Sequence, residues 1–156
     1  MNSLKFLFLS LLIVTTFGCS KDDDSPEPDN SITIADFEGS WKASSAIFTN
    51  NSNASESLEF IGAGGEIRYT MLPGGNTRTW VEFQNNPVDE WDAEVTLGNN
   101  NTIISTPVEV TRPVETSTYD LGVNTFTFTN NSASFDFTLS GATEVSATSV
   151  IVFVPN

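Results

Sequence analysis

The sequence predicts an all-β fold, an antiparallel up-and-down barrel of about eight strands. Three observations lead to it: short segments alternate apolar and polar residues, clusters of Gly, Asn and Pro separate them, and long helix-forming runs are missing. Alternation with a period of two gives each strand one apolar face. Eight or more such strands bury that face by closing into a barrel or by stacking as two sheets. A β-sandwich of immunoglobulin or jelly-roll type therefore stays open as the alternative.

The first half of the chain after residue 30 provides five alternating segments. They occupy residues 41–48, 57–61, 66–72, 77–83 and 91–97. In segment 77–83 the alternation predicts Val81 and Phe83 on the apolar face, whereas Trp80 falls on the polar face with Arg78 and Glu82. The run Pro73-Gly74-Gly75-Asn76 predicts a tight hairpin turn between two segments, because Pro and Gly supply the dihedral angles that such turns need.

The second half continues the same rhythm. Its segments occupy residues 102–111, 117–123, 125–129, 135–140 and 146–154, and Pro107 interrupts the first of them. Phe126 and Phe128 alternate with threonines on one segment, and Phe135 and Phe137 alternate with polar residues on the next. We therefore expect these four rings on two neighbouring strands. Ahead of the first strand, residues 32–37 predict a short helical turn.

Residues 1–18 have the composition of a secretory signal peptide. Lys5 provides the positive start, and residues 6–17 are apolar apart from one serine and two threonines. This run of about twelve residues is shorter than the roughly 20 that a membrane-spanning helix needs. The sole cysteine, Cys19, follows directly.

The residues around this cysteine resemble the lipobox of bacterial lipoproteins. The match is Thr16-Phe17-Gly18-Cys19, a relaxed form in which Thr16 and Phe17 replace the commoner residues. The resemblance implies that the signal is removed before Cys19 and that acyl chains such as palmitate are attached to it. Two or more acyl chains anchor a protein stably, since each buried CH₂ contributes about 0.8 kcal/mol.

Residues 19–30 continue from this cysteine as an acidic tether. The segment holds five acidic residues and two prolines but no aromatic or β-branched residue, a composition that predicts disorder. Its Lys21-Asp22-Asp23-Asp24 run resembles the surface-export signal of Bacteroidetes lipoproteins. That resemblance implies an outer-membrane location on the cell surface of a Gram-negative bacterium, with the periplasmic leaflet as the alternative.

Residues 31–156 form one domain, and their start resembles the opening of lipocalins and related calycins. The matching stretch is 34–42, in which a helical turn leads into Gly39-Ser40-Trp41. The resemblance implies a lipocalin-like barrel in which Gly39 and Trp41 close one end. Lipocalins usually carry a late arginine on this tryptophan, whereas the last basic residue here is Arg112.

Composition excludes several classes of function. The chain has no histidine, one cysteine and a formal net charge of −14. It therefore lacks the residues for a Ser-His-Asp triad, a histidine metal site or an internal disulfide, and its charge argues against nucleic-acid binding. The acidic cluster 89–94 is interpreted as a solvated strand face. We expect neither an enzyme nor a bound metal or cofactor.

Two groups of aromatic residues are the candidates for binding. The first would line a barrel cavity for a small apolar or amphipathic ligand, and it comprises Tyr69, Met71, Phe83, Trp91, Phe126, Phe128, Phe135 and Phe137. The second is Trp80 alone, on the polar face, where it would contact a glycan or a protein. The alternatives to a ligand carrier are thus a surface-recognition module or an accessory subunit of an envelope complex, each with a filled core and a protein partner that the sequence does not identify.

Overall fold

The computed structural model describes residues 31–140 and 143–156, and strands dominate it. In chain order the strands are β1 (Gly39–Asn50), β2 (Ser57–Glu59), β3 (Gly65–Met71), β4 (Asn76–Phe83), β5 (Asn86–Gly98), β6 (Thr102–Pro107), β7 (Glu115–Gly122), β8 (Thr125–Phe135) and β9 (Val145–Pro155). A 3₁₀ turn, Ile34–Phe37, precedes them. Within this part of the chain, no helix has the length and apolar character needed to cross a bilayer.

Eight of the nine strands in the described residues close into an antiparallel up-and-down barrel. From β3 to β9 each strand pairs with its successor, and β1 joins β3 on one side and β9 on the other. β2 lies outside the cycle and pairs only with residues 47–49 of β1. The predicted barrel is therefore confirmed, and the sandwich alternative is excluded.

β1 bends around the barrel through a bulge at Ser44. Its pairing with β9 shifts between Ala43 and Ser45, and the Ser44 hydroxyl donates to the Val152 carbonyl at 3.2 Å. Because a bulge inserts one extra residue, the inward-facing phase passes from Ala43 to Ala46 across it. The strand can therefore curve along β9 while it keeps apolar side chains inside.

The hairpin between β3 and β4 requires glycine at one position. Gly75 has a φ of +86°, and a Cβ built there would lie 2.4 Å from the carbonyl oxygen of Val95 in β5. The Gly75 carbonyl also accepts the Val95 amide at 2.8 Å. This residue therefore joins the predicted turn to the neighbouring strand, and only glycine fits both the dihedral angle and the space.

The strand boundaries expected around residue 130 are wrong. Segments 125–129 and 135–140 do not form two neighbouring strands, because β8 runs through a bulge after Asn130 and ends at Phe135. Phe137 lies beyond the strand, in the turn that follows. The Asn-rich stretch between these two predicted segments contains the bulge, which an alternation pattern does not signal.

The core fills the barrel, and the 3₁₀ turn covers the end at which β1 begins. Phe37 of that turn is 0% exposed, and its ring lies edge-on to Tyr119 with centroids 5.1 Å apart. The Trp41 indole donates to the Phe37 carbonyl at 2.9 Å, which fixes the turn to the first strand. The predicted helical turn is thus present, and it supplies a buried ring to the core.

Candidate functional site

Two groups of aromatic rings occupy the barrel interior. In the first group, five ring centroids lie 4.7–6.1 Å from that of Phe126, namely those of Phe37, Trp41, Tyr69, Phe128 and Phe153. In the second group, Phe135 stacks on Phe48 at 3.9 Å and contacts Phe60 and Phe137 edge-on at 6.1 and 5.0 Å. Contacts this close leave the interior packed with side chains.

The polar groups of the interior are paired with one another. Burial raises the pKa of Tyr69, whose hydroxyl is hydrogen-bonded to the side chain of Thr77. Thr77 in turn donates to the Ala93 carbonyl at 3.1 Å. Among the described residues, every buried side-chain nitrogen and oxygen has a hydrogen-bond partner. A ligand inside the barrel would thus find no unpaired polar side chain there to bind.

The proposed lining residues do not form one surface. Tyr69, Met71 and Phe126 are buried in the core. Phe83, Phe128, Phe135 and Phe137 are half-buried and pack against it. Trp91 shares the inward phase of Ala93, but it is absent from this packing and lies beneath Arg112 instead. Phe37, Phe48, Phe60 and Phe153 are core residues that the candidate set omitted, although Phe48 and Phe153 lie within segments whose alternation was visible.

The Gly39-Ser40-Trp41 motif lies at the covered end of the barrel. Gly39 opens β1 with a φ of +132°, and a Cβ there would meet the Trp41 indole at 3.5 Å. The indole packs against Phe126 at 4.8 Å, and no contact joins it to Arg112 in the part of the chain that the structure describes. Arg112, the last basic residue, thus packs on Trp91 and not on Trp41.

Arg112 holds the loop between β6 and β7. Its guanidinium lies 4.9 Å from the Trp91 ring centroid. It forms a bidentate ion pair with Asp89 and a second ion pair with Glu109 at 3.3 Å. The Asp89 hydrogen bond raises the pKa of Arg112. β6 ends at Pro107, short of the predicted residue 111, and these contacts order the loop that follows.

Trp80 lies on the outer wall of the barrel, directly opposite Arg68 in the β3–β4 pair. The Arg68 guanidinium carbon is 3.7 Å from the centroid of the indole ring. Such cation–π stacking fixes the orientation of both side chains. Sequence reasoning placed Trp80 on this face but missed Arg68, although a hairpin turn at 73–76 brings the two into register.

The outer wall around Trp80 is concave. One depression of about 270 Å³ is lined by Trp41, Arg68, Thr70, Arg78, Trp80, Glu90 and Asn156. A second, of about 470 Å³, shares Thr70 and Arg78 with the first and continues along Leu72, Asn76, Asp92 and Val108. We call the two together the outer-wall groove. It crosses β1, β3, β4 and β5.

Arg78 lies where the two depressions meet, and two carboxylates hold it. Its Nε lies 2.9 Å from Asp92 and 3.2 Å from Glu90, and the hydrogen bond that Arg78 donates to Asp92 raises the pKa of the guanidinium. Arg68 pairs in the same way with Glu66 at 2.9 Å. Three of the four acidic residues of cluster 89–94, namely Asp89, Glu90 and Asp92, thus pair with arginines. Among the described residues, no three carboxylate, His or Cys side chains come together as a metal site.

Comparison with known protein families, curated proteins and solved structures gave no match. The predicted signal peptide, Cys19 and the Lys21–Asp24 run lie outside the described residues. The resemblances to lipoproteins and lipocalins therefore remain predictions.

Proposed function

We propose that this chain is a lipid-anchored surface protein whose lipocalin-like barrel recognises a partner through its outer wall. Cys19 would carry the acyl chains, and residues 20–30 would space the barrel from the outer membrane. Fully extended, such a tether reaches roughly 35–40 Å, which is enough to hold a domain clear of the lipid headgroups.

One observation favours recognition on the outside over carriage on the inside. The interior is filled by rings in mutual contact and its polar groups are paired, whereas the concave surface with half-exposed aromatic and charged side chains lies outside. An eight-stranded barrel holds a small molecule only if its inward side chains leave room for one. We therefore rank surface recognition above transport of a small apolar ligand.

The anchor proposal is supported by the sequence alone. The apolar run, the cysteine directly after it and the acidic segment follow one another in the order that a lipoprotein requires. The Lys21-Asp22-Asp23-Asp24 run favours the cell surface over the periplasmic leaflet. On a surface-exposed barrel, an outer-wall groove would face molecules outside the cell.

Mass spectrometry of the chain purified from membranes tests both parts of this proposal. Under denaturing conditions we expect the mass of a protein that begins at Cys19 and carries acyl chains, and Cys19→Ala should lack them. Under native conditions we expect no further mass beyond that of the acylated protein and detergent. A stoichiometric apolar molecule that leaves on denaturation would instead establish a carrier, and a fixed co-purifying protein would establish an accessory subunit.

A further inference from the structure

We propose that the outer-wall groove binds an uncharged oligosaccharide chain. This inference rests on the proposed function, because it names the ligand class of the same surface. The groove combines a fixed indole, planar hydrogen-bonding side chains and a concave shape on an otherwise polar wall. Sugars present an apolar ring face together with a rim of hydroxyl groups, and these surface features complement both.

Trp80 provides the apolar part of the site. Its ring borders the first depression, is half-exposed, and is held in place by Arg68 at 3.7 Å. An indole whose orientation is fixed before binding loses little conformational entropy when a ring packs against it. Trp41 borders the same depression where β1 begins, but its indole packs inward against Phe126 at 4.8 Å, so Trp80 is the indole that a sugar would meet.

Arg78 provides the polar part, at the point where the two depressions meet. A guanidinium has five N–H donors, and contacts to Asp92 and Glu90 at 2.9 and 3.2 Å use only some of them. The two carboxylates keep further lone pairs as acceptors. Because a hydroxyl group both donates and accepts, a donor held between two acceptors suits neighbouring sugar hydroxyls.

The balance of charge in the groove favours a neutral ligand. The charged side chains that line it are Arg68, Arg78, Glu90 and Asp92, two of each sign. Each arginine already has a carboxylate partner, so no lining cation is left to require an anionic sugar. In a chain with a net charge of −14, an acidic glycan would also be repelled by the rest of the surface.

The extent of the groove favours a chain of sugars over a single ring. It crosses four strands, and three strand spacings of about 4.8 Å give a length of about 14 Å. Affinity should therefore rise from monosaccharide to longer oligomers. A flat protein partner would use such a concave strip poorly, whereas an extended chain can follow it across the strands.

Titration calorimetry on the full-length protein in detergent tests this inference. The probes are neutral oligomers of glucose, mannose and xylose from one to six units, with hexagalacturonic acid as the charged comparison. We expect at least one neutral series to bind more tightly as it lengthens, and its Kd to change less than about twofold between about 50 and 500 mM salt.

The variants locate the binding on the groove. Trp80→Ala should raise the Kd of the bound oligomer by about tenfold or more, equivalent to about 1.4 kcal/mol. Trp80→Phe should retain most of the affinity. Thr118→Ala changes an exposed residue of β7, away from the groove, and should leave the Kd unchanged. Thermal unfolding of each variant shows whether the barrel stays intact.

Three results would overturn the inference: no neutral oligomer binds, Trp80→Ala binds as tightly as the wild type, or only the acidic oligomer binds and salt abolishes it. None of these results contradicts the proposed function. That proposal is contradicted by a different result, the detection of an apolar molecule inside the barrel by native mass spectrometry. The two failures are therefore distinguishable.

Discussion

Phe126→Ala tests whether the barrel is filled or hollow. Phe126 is 1% exposed, and five aromatic rings lie within 6.1 Å of its own ring centroid. Truncation would remove these contacts and leave a void that the surrounding rigid strands cannot close. Phe-to-Ala changes in packed cores cost about 3–5 kcal/mol. We expect the upper half of that range, because edge-to-face contacts are lost in addition to buried area.

Equilibrium unfolding in urea, followed by tryptophan fluorescence, measures this loss. The indole of Trp41 reports directly on the site, since its ring centroid is 4.8 Å from that of Phe126. A loss of about 4 kcal/mol should lower the Tm by roughly 10–20 °C for a domain of this size. Val123→Ala is the matched control, because Val123 is 93% exposed and its truncation should cost less than about 0.5 kcal/mol.

A second measurement on the same variant separates a new cavity from a pre-existing one. An apolar void of the size of a phenyl ring stays dry and takes up benzene. We expect benzene to raise the Tm of Phe126→Ala and to leave that of the wild type unchanged. The reasoning is refuted if Phe126→Ala loses less than about 1.5 kcal/mol at an unchanged m-value, or if benzene stabilises the wild type equally.

Three further changes probe the turn, the β1 edge and the Arg112 contacts. Gly75→Ala should cost about 2–4 kcal/mol in urea unfolding, because it combines backbone strain with a clash on the Val95 carbonyl; Gly74→Ala has a similar φ of +85° but open space, and should cost only about 1 kcal/mol. The pKa of Glu59 is lowered chiefly because it accepts the Ala46 amide of β1, so its stabilisation is present above the unfolded-state pKa of 4.5 and is lost as the pH falls through the lower folded value. Glu59→Gln should therefore be less stable than the wild type near pH 7, with the difference in unfolding free energy shrinking towards about pH 3; an unchanged difference would contradict the assignment. Arg112→Lys keeps the charge but loses the bidentate ion pair with Asp89. It should therefore speed proteolysis of the loop between β6 and β7, with little change in Tm.

The alternation of apolar and polar residues predicts the strands, and it predicts for most side chains whether they face the interior or the solvent. Trp80 on the outer face and Tyr69, Met71 and Phe126 on the inner face all follow from a period of two combined with a recognisable turn at 73–76. These are local properties of each strand, so a single sequence contains them. A shared interior for the apolar faces also follows, but the choice between a barrel and a sandwich does not, since both bury those faces.

Other features depend on interactions that alternation does not encode. The bulges at Ser44 and after Asn130 shift the phase of β1 and β8 without a change in composition, so Phe137 lies in a turn and not on the strand that the alternation predicts. The place of Trp91 depends on Arg112, which lies on a loop and reaches it only in the folded chain. The outer-wall groove combines residues from four strands. Its existence is therefore a property of the register between the strands.

That register links the stability of the fold to the proposed binding surface. Arg68 lies opposite Trp80, and Arg78 opposite Asp92, only because the β3–β4 turn and the β4–β5 pairing hold their present alignment. A slip of one residue would turn Trp80 inward and replace it on the outer wall by a neighbour from the core face. The interior rings resist such a slip, since each would have to leave a packed position. The packed core thus fixes the groove, which is why a barrel with such an interior is suited to the proposed recognition on its outer surface.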